Sequence, residues 1–145
     1  MTAAMTVRIA PGDEFDKCLA LRYAVFVDEQ KVPIDLERDA YDAAALHLLG
    51  EVGGTPMGTA RVVFQDDYAK VGRVCVTQAA RGTGLGKKLM QEAIAQAKAK
   101  TGVRRVILQA QLTALGFYEA LGFVAHGGIV MDAGIEHRDM ELILP

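Results

Sequence analysis

The sequence contains 145 residues, of which 51% are hydrophobic and 23% are charged, and its formal net charge is −2. This composition is that of a globular chain, and the length predicts a single domain over residues 1–145 with one buried core. This net charge argues against broad binding to nucleic acid or to an anionic membrane, which would need a basic face, although local positive charge around Arg81 is compatible with it.

The first predicted elements are a strand and a long helix. A weak alternation over residues 5–10 predicts the strand, and the helix is expected from Asp13 or Glu14 to about Gln30, where apolar residues recur at helical spacing.

Residues 1–10 are too short and too mixed for a secretory signal, and no apolar run is long enough to cross a bilayer, so we expect a cytoplasmic protein. After Pro33, the chain is predicted to form a solvated surface loop with the charged residues Asp35, Glu37, Arg38, Asp39 and Asp42.

Three strands are predicted next. Residues 44–52 and 57–65 are strand-like, and Gly53-Gly54 between them is a strong hairpin signal. A third strand lies within residues 68–77 and ends in the apolar run Val74-Cys75-Val76. Together these three segments predict an antiparallel meander that precedes a glycine-rich turn.

A glycine-rich turn follows the third strand and leads into an amphipathic helix that ends near Lys100. The turn reads Arg81-Gly82-Thr83-Gly84-Leu85-Gly86, and its bare backbone N–H groups at a helix start are suited to binding phosphate. No Lys-Ser/Thr pair follows the last glycine, as a Walker loop requires, and the spacing fits the dinucleotide fingerprint poorly. The alternative is that these glycines only allow tight packing of strand on helix.

The remaining elements complete a mixed α/β order. A strand is predicted over residues 104–110, a helix over 114–120, and two strands over 123–131 and 136–144. The order β-α-β-β-β-α-β-α-β-β predicts a mixed sheet with helices on both faces.

Cys18 and Cys75 are expected to be core residues in a reducing compartment. His126 and His137 have no partners at metal-ligand spacing, so no metal site is predicted.

Two motifs resemble signatures of the GNAT N-acetyltransferase superfamily. The first is Arg81-x-x-Gly84-x-Gly86, and the second is the segment ALGFYEALGF over residues 114–123. The flanks, including the segment from Phe26 to Gln30, are similar to the ElaA-like branch of the family, although Val130 and Asp132 depart from its pattern. The resemblance implies the GNAT acyl-CoA N-acyltransferase fold, an α/β (α+β) domain with a mostly antiparallel sheet.

The resemblance also implies a site. In the family, the arm of acetyl-CoA lies between the third meander strand and the next one, the N–H at Val76 polarises the thioester carbonyl, and Tyr118 protonates the departing thiolate. The general base is left open among Glu29, His47 and Glu51. The residues expected to bind the cofactor are Val74, Cys75, Val76, Arg81, Gly82, Thr83, Gly84, Leu85, Gly86, Lys87 and Tyr118.

The function implied by the resemblance is transfer of an acetyl group from acetyl-CoA to a primary amine, by direct attack in a ternary complex. The acceptor is a small molecule or a peptide, and acidic residues near the acceptor side are expected to suit an amine. A GNAT-fold protein that binds acyl-CoA as a sensor without turnover is the alternative, and an unrelated nucleotide-binding protein is a third reading. A homodimer is one arrangement that the sequence leaves open.

Overall fold

Seven strands form one sheet in a computed structural model that describes residues 4–145, except for the side chain of Leu36. The sheet order is β1-β2-β3-β4-β5-β7-β6, and every neighbouring pair is antiparallel apart from β4 and β5. The strands are β1 (Met5–Ile9), β2 (Leu46–Val52), β3 (Thr55–Gln65), β4 (Tyr68–Val76), β5 (Arg105–Gln111), β6 (Val124–Asp132) and β7 (Ile135–Ile143). The predicted mixed and mostly antiparallel sheet is therefore confirmed.

The helices are α1 (Phe15–Arg22), α2 (Ile34–Glu37), α3 (Leu85–Ala99) and α4 (Leu115–Glu119). The first predicted helix differs in its second half, because the chain continues from α1 as a π-helical segment over Tyr23–Glu29. The prediction about a secretory segment includes residues 1–3, which lie outside the described residues. Across residues 4–145, no helix combines the length and the apolar character that a membrane span needs.

Helices cover both faces of the sheet. On one face, α3 buries Leu85, Leu89 and Met90 against strand residues that include Leu48. On the other face, α1 packs Cys18 and Leu21 against a second cluster of buried residues that contains Leu49 and Cys75. Leu48 and Leu49 are successive residues of β2, and successive side chains of a strand point to opposite faces. Both cysteines are thus buried core residues, as predicted.

The backbone of β3 lies very close to α3. A Cβ atom added at Gly58 would come within 2.9 Å of a methyl carbon of Leu89, a separation that real Cβ atoms do not show. A glycine at this position therefore allows α3 to pack closely on the sheet. The close packing sets the distance between the amino terminus of α3 and the end of β4.

A β-bulge bends β4 where it leaves β5. Thr59 pairs with Cys75 and Arg61 pairs with Gly72, so β4 contains one more residue than β3 between these two pairs. Arg73 lies in this bulge with a φ of +51°, which is an uncommon conformation for a residue with a side chain. Pairing between β4 and β5 covers only three residues and ends at Lys70. Beyond that point the two strands separate.

Three arginines and three carboxylates form a closed ring beside the bulge, which we call the arginine–carboxylate ring. Each arginine contacts two carboxylates, and each carboxylate contacts two arginines. Arg22 pairs with Glu37 and Asp42, Arg61 pairs with Asp42 and Asp39, and Arg73 pairs with Asp39 and Glu37. Five of the six N–O separations lie between 2.6 and 3.3 Å, and the sixth, Arg22 to Glu37, is also a hydrogen bond. The ring connects α1, the acidic segment and the bulged part of β4.

The ring corrects the prediction that the acidic segment is a solvated surface loop. Glu37 is 2% exposed and Asp42 is 8% exposed, and Arg22 is equally enclosed at 1%. Buried charges are tolerated when each has partners of opposite sign and its remaining donors and acceptors are hydrogen-bonded. Within the ring, three positive and three negative charges cancel, and the expectation that these acidic residues suit an amine stays a prediction.

Candidate active site

The separation of β4 and β5 opens a cavity of about 490 Å³ on the α1 face of the sheet, which we call the cleft. Gly72 and Val74 of β4 form one wall, and Gln109 and Gln111 of β5 form the other. The arginine–carboxylate ring contributes four further lining residues, and the turn between β6 and β7 closes one end. Gln30, from the end of the π-helical segment, accepts a hydrogen bond of 2.9 Å from Gln111 and ties α1 to the far wall.

Backbone groups that point away from β3 line the inner edge of β4. Thr77 donates its N–H to the carbonyl of Met57 at 2.9 Å, on the β3 side. In an antiparallel ladder this direction alternates, so the N–H and C=O of Val76 point away from β3, toward the space that β5 has left. Val74, two residues earlier, also lines the cleft. Cys75 pairs with Thr59, and its backbone groups therefore face β3 and not the cleft.

The glycine turn forms a bare backbone surface at the start of α3. Gly82 and Gly84 have φ values of +78° and +93°, and a Cβ atom at either position would meet nothing within 4 Å. Among the described residues, their N–H groups have no hydrogen-bond acceptor. The first N–H groups of α3 lie beside them at the positive end of the helix dipole. The loop therefore has the open space and the donors that a pyrophosphate requires.

The start of α3 lies beside both β4 and α4. A Cβ at Gly86 would lie 3.6 Å from the ring of Phe117 and 3.7 Å from a methyl carbon of Val76. Tyr118 follows Phe117 and packs against it and Phe123, with ring centroids 5.0 and 6.0 Å apart. This contact brings the free edge of β4, the glycine turn and the α4 aromatic residues to one place.

Tyr118 lines the cleft, and its hydroxyl has no hydrogen-bond partner among the described residues. Burial raises the pKa of Tyr118 to about 12, because the phenolate would lose hydration. The hydroxyl therefore keeps its proton at neutral pH and is available as a donor.

Arg81 is engaged with another predicted site residue. Its two terminal nitrogens each lie 2.7 Å from an oxygen of Glu29, and its Nε donates to the Val76 carbonyl at 3.1 Å. The Arg81 guanidinium lowers the pKa of Glu29, which makes this carboxylate a weaker base. Both side chains are partly exposed, and an exposed ion pair of this kind is easily exchanged for other partners.

The other predicted bases lie outside the cleft lining. His47 is 8% exposed, packs on Phe15, and contacts the Asp42 carbonyl through Nε2 at 2.9 Å. A carbonyl only accepts, so Nε2 carries the proton, and the bare Nδ1 is enclosed without a partner among the described residues. Glu51 accepts a hydrogen bond from Arg8 at 2.9 Å. Among the described residues, no group of three or more His, Cys, Asp or Glu side chains could hold a metal ion.

Sequence comparisons match this arrangement to one family. The profile of the acetyltransferase (GNAT) domain matches residues 14–144. The chain belongs to the GNAT acetyltransferase family. It is 36% identical over 121 residues to the N-acetyltransferase YjcF of Bacillus subtilis, covering 83% of this chain and 86% of that protein. It is 32% identical over 126 residues to the protein ElaA of Escherichia coli, covering 84% and 82% of the two chains.

Solved structures give the same result. An acyl-CoA N-acyltransferase from Pseudomonas aeruginosa superposes with a TM-score of 0.83 and 30% identity, covering 97% of this chain and 99% of that one. The crystal structure of Escherichia coli ElaA superposes with a TM-score of 0.82 and 27% identity, covering 96% and 98%. The predicted GNAT fold and the likeness to ElaA are confirmed, and membership of the family implies an acyl-CoA donor and an acceptor substrate for this GNAT protein.

Proposed function

We propose that this GNAT protein transfers the acetyl group of acetyl-CoA to a primary amine, with both substrates bound in the cleft at the same time. The observation that carries the proposal is the meeting of the free Val76 N–H with the Tyr118 region where β4 leaves β5. When bound, acetyl-CoA supplies an activated acetyl thioester. The Val76 N–H is a fixed donor for the oxygen on which negative charge develops, and Tyr118 is a protonated donor for the leaving sulfur.

The glycine turn is proposed to hold the pyrophosphate of acetyl-CoA. The N–H groups of Gly82 and Gly84 have no acceptor among the described residues and lie where the backbone is bare, and Arg81 adds positive charge beside them. Arg81 would exchange or share its Glu29 partner when a phosphate is present, since the ion pair is partly exposed. The arm is proposed to run along Val74, which lines the cleft, and Val76, whose N–H points into it.

The acceptor amine is proposed to enter from the opposite end of the cleft, between the arginine–carboxylate ring and the turn that joins β6 to β7. The walls there offer neutral hydrogen-bonding groups, among them Gln109 and Gln111 of β5. Because the ring has no net charge, selection among amines rests on these polar contacts and on shape. A small-molecule amine and a peptide amine both suit this lining.

Binding and turnover test the proposal separately. Acetyl-CoA at millimolar concentration is expected to raise the melting temperature of the wild type, because a ligand that binds only the native state stabilises it. Release of free coenzyme A thiol is then measured with a panel of alkylamines, amino sugars and peptides. An unchanged melting temperature contradicts the proposed donor, whereas binding without turnover by any amine supports the alternative sensor function.

Gly84→Ala is expected to weaken acetyl-CoA binding by about tenfold or more, which corresponds to about 1.4 kcal/mol. The added methyl group would occupy the space that the pyrophosphate needs and would also strain a backbone with a φ of +93°. Isothermal titration calorimetry measures the affinity, and thermal unfolding measures the strain.

Gly102→Ala is the matched control. Gly102 follows the end of α3, has a φ of +87°, and likewise has nothing within 4 Å of an added Cβ. Both variants should therefore lose a similar amount of stability, but only Gly84→Ala should lose affinity. Wild-type affinity in Gly84→Ala would mean that the pyrophosphate binds elsewhere.

A further inference from the structure

His137 is a buried histidine in the wall of the cleft. It lies on β7 opposite Gln111, the last residue of β5, and directly paired residues in an antiparallel sheet point to the same face. Both residues line the cleft, as does Tyr118. His137 is only 8% exposed, so its ring is held by the surrounding structure and does not move freely in solvent.

The hydrogen bond of His137 fixes its tautomer. Nδ1 lies 2.7 Å from the backbone carbonyl oxygen of Ile135. The carbonyl has no proton to give, so Nδ1 must be the donor, and the neutral ring then has its lone pair on Nε2. Nε2 has no partner among the described residues, and it is not one of the enclosed polar atoms that lack one. The free lone pair of His137 is therefore accessible from the cleft.

We propose that His137 Nε2 is the general base that removes a proton from the acceptor amine. This inference rests on the proposed function. An alkylamine reaches the site as its ammonium, which has no lone pair to attack with. One N–H bond of the ammonium breaks, its electron pair stays on the amine nitrogen, and the proton binds Nε2 to give an imidazolium. His137 returns this proton to solvent before the next turnover, so charge and protons balance.

Among the groups that line the cleft, no other potential base is both free of ion-pair partners and shielded from solvent. The charged residues that line the cleft are Glu37, Asp39, Arg61 and Arg73 of the ring, together with Lys70 and Asp132. The ring carboxylates are each held by two arginines. The direct cross-strand neighbours of His137 are uncharged, namely Gln111 on β5 and Val130 on β6. Asp132 is exposed at the end of β6, where water also solvates it.

The first experiment needs no substrate. Long-range ¹H–¹⁵N NMR spectra distinguish the two imidazole tautomers, and His137→Gln assigns the signals. We expect the neutral His137 ring to carry its proton on Nδ1. A ring protonated on Nε2 would overturn the proposal whatever the enzyme acetylates, because the nitrogen that opens to the cleft would have no lone pair.

The second experiment separates a base from a structural residue. An alkylamine that the wild type acetylates is compared with its β,β,β-trifluorinated analogue, which has the same skeleton but whose three fluorines leave the amine mostly unprotonated at neutral pH. His137→Gln is expected to lower kcat/KM for the alkylamine by about 100-fold and to leave that for the analogue within about twofold. Imidazole added to His137→Ala should restore part of the alkylamine activity. The control is His126→Gln, at an exposed histidine on β6 that does not line the cleft.

The outcomes distinguish this proposal from the proposed function. An equal loss with both amines, or no loss with either, overturns the role of His137 while the acetyltransferase function stands. A wild type that neither binds acetyl-CoA nor acetylates any amine overturns both. An unchanged stabilisation of His137→Gln by acetyl-CoA shows that the variant is folded and that the defect lies on the acceptor side.

Discussion

Arg22→Met is expected to lose about 3–5 kcal/mol of unfolding free energy, which would lower the melting temperature by roughly 10 °C or more. Methionine has a similar length but removes the positive charge, and it leaves Glu37 and Asp42 buried without their shared partner. Uncompensated buried charge is among the most destabilising single changes in a protein. Thermal and urea unfolding measure the loss.

Two comparisons show whether the loss comes from the ring. Arg8→Met removes a partly exposed arginine that also contacts two carboxylates, Glu14 and Glu51, and it should have a smaller effect because water reaches the groups left behind. A double-mutant cycle of Arg22→Met with Glu37→Gln should give a coupling energy of about 0.5–3 kcal/mol. Additive effects in the cycle would mean that the two side chains do not stabilise each other.

The ring should also make stability depend on acid. Burial disfavours the charged form of Asp42, but hydrogen bonds from Arg22, Arg61 and the Asp39 N–H outweigh it, and the pKa of Asp42 is lower than usual. Because its pKa is lower in the folded state, the unfolded state binds more protons as the pH falls. The stabilisation is thus complete above about pH 5 and is lost progressively at lower pH. Arg22→Met should show a weaker loss in this range.

The arginine–carboxylate ring could not be predicted from the sequence. Its partners are 15 to 36 residues apart, and nothing in the local pattern of residues 35–42 distinguishes charges that face solvent from charges that meet arginines of β3 and β4. By contrast, the glycine turn and α3 were predicted correctly, because a glycine cluster followed by an amphipathic helix is a local signal.

The bulge in β4 has only a weak sequence signal, which is Gly72 within the strand. The residue with positive φ is its neighbour Arg73, which is held by Glu37 and Asp39 of the ring. The conformation of Arg73, and with it the separation of β4 from β5, therefore depends on contacts that form only when the chain has folded. This dependence links the stability of the ring to the shape of the candidate site.

The position of His137 in the cleft is another feature that could not be predicted from the sequence. The sequence offers three histidines and makes His47 a candidate base, whereas for His137 it indicates only a lack of metal partners at useful spacing. Its place in the cleft follows from the register of β5 and β7, and a shift of one residue would turn its ring to the other face. His47, which was a candidate base, has its lone pair enclosed, whereas His137 has its lone pair exposed to the cleft.

Tyr118→Phe is expected to lower kcat by roughly 10²–10⁴-fold with little change in the affinity for acetyl-CoA. Phenylalanine keeps the contacts with Phe117 and Phe123 and removes only the hydroxyl, which has no other partner among the described residues. The rate of thiol release under saturating substrates measures kcat, and calorimetry measures the affinity. Because burial raises the pKa of Tyr118 to about 12, the wild-type rate should not fall between pH 7 and pH 9 through loss of this proton.

Tyr68→Phe is the matched control for this prediction. Tyr68 lines the same cleft, but its hydroxyl donates to Gln65 at 3.0 Å and so already has a structural partner. Removal of the Tyr68 hydroxyl should leave kcat nearly unchanged. If Tyr118→Phe also acetylates an acceptor at the wild-type rate, then the leaving sulfur takes its proton from water. The role of Tyr118 would in that case be to pack α4 against the end of β4, and the Val76 N–H alone would carry the proposed stabilisation of charge.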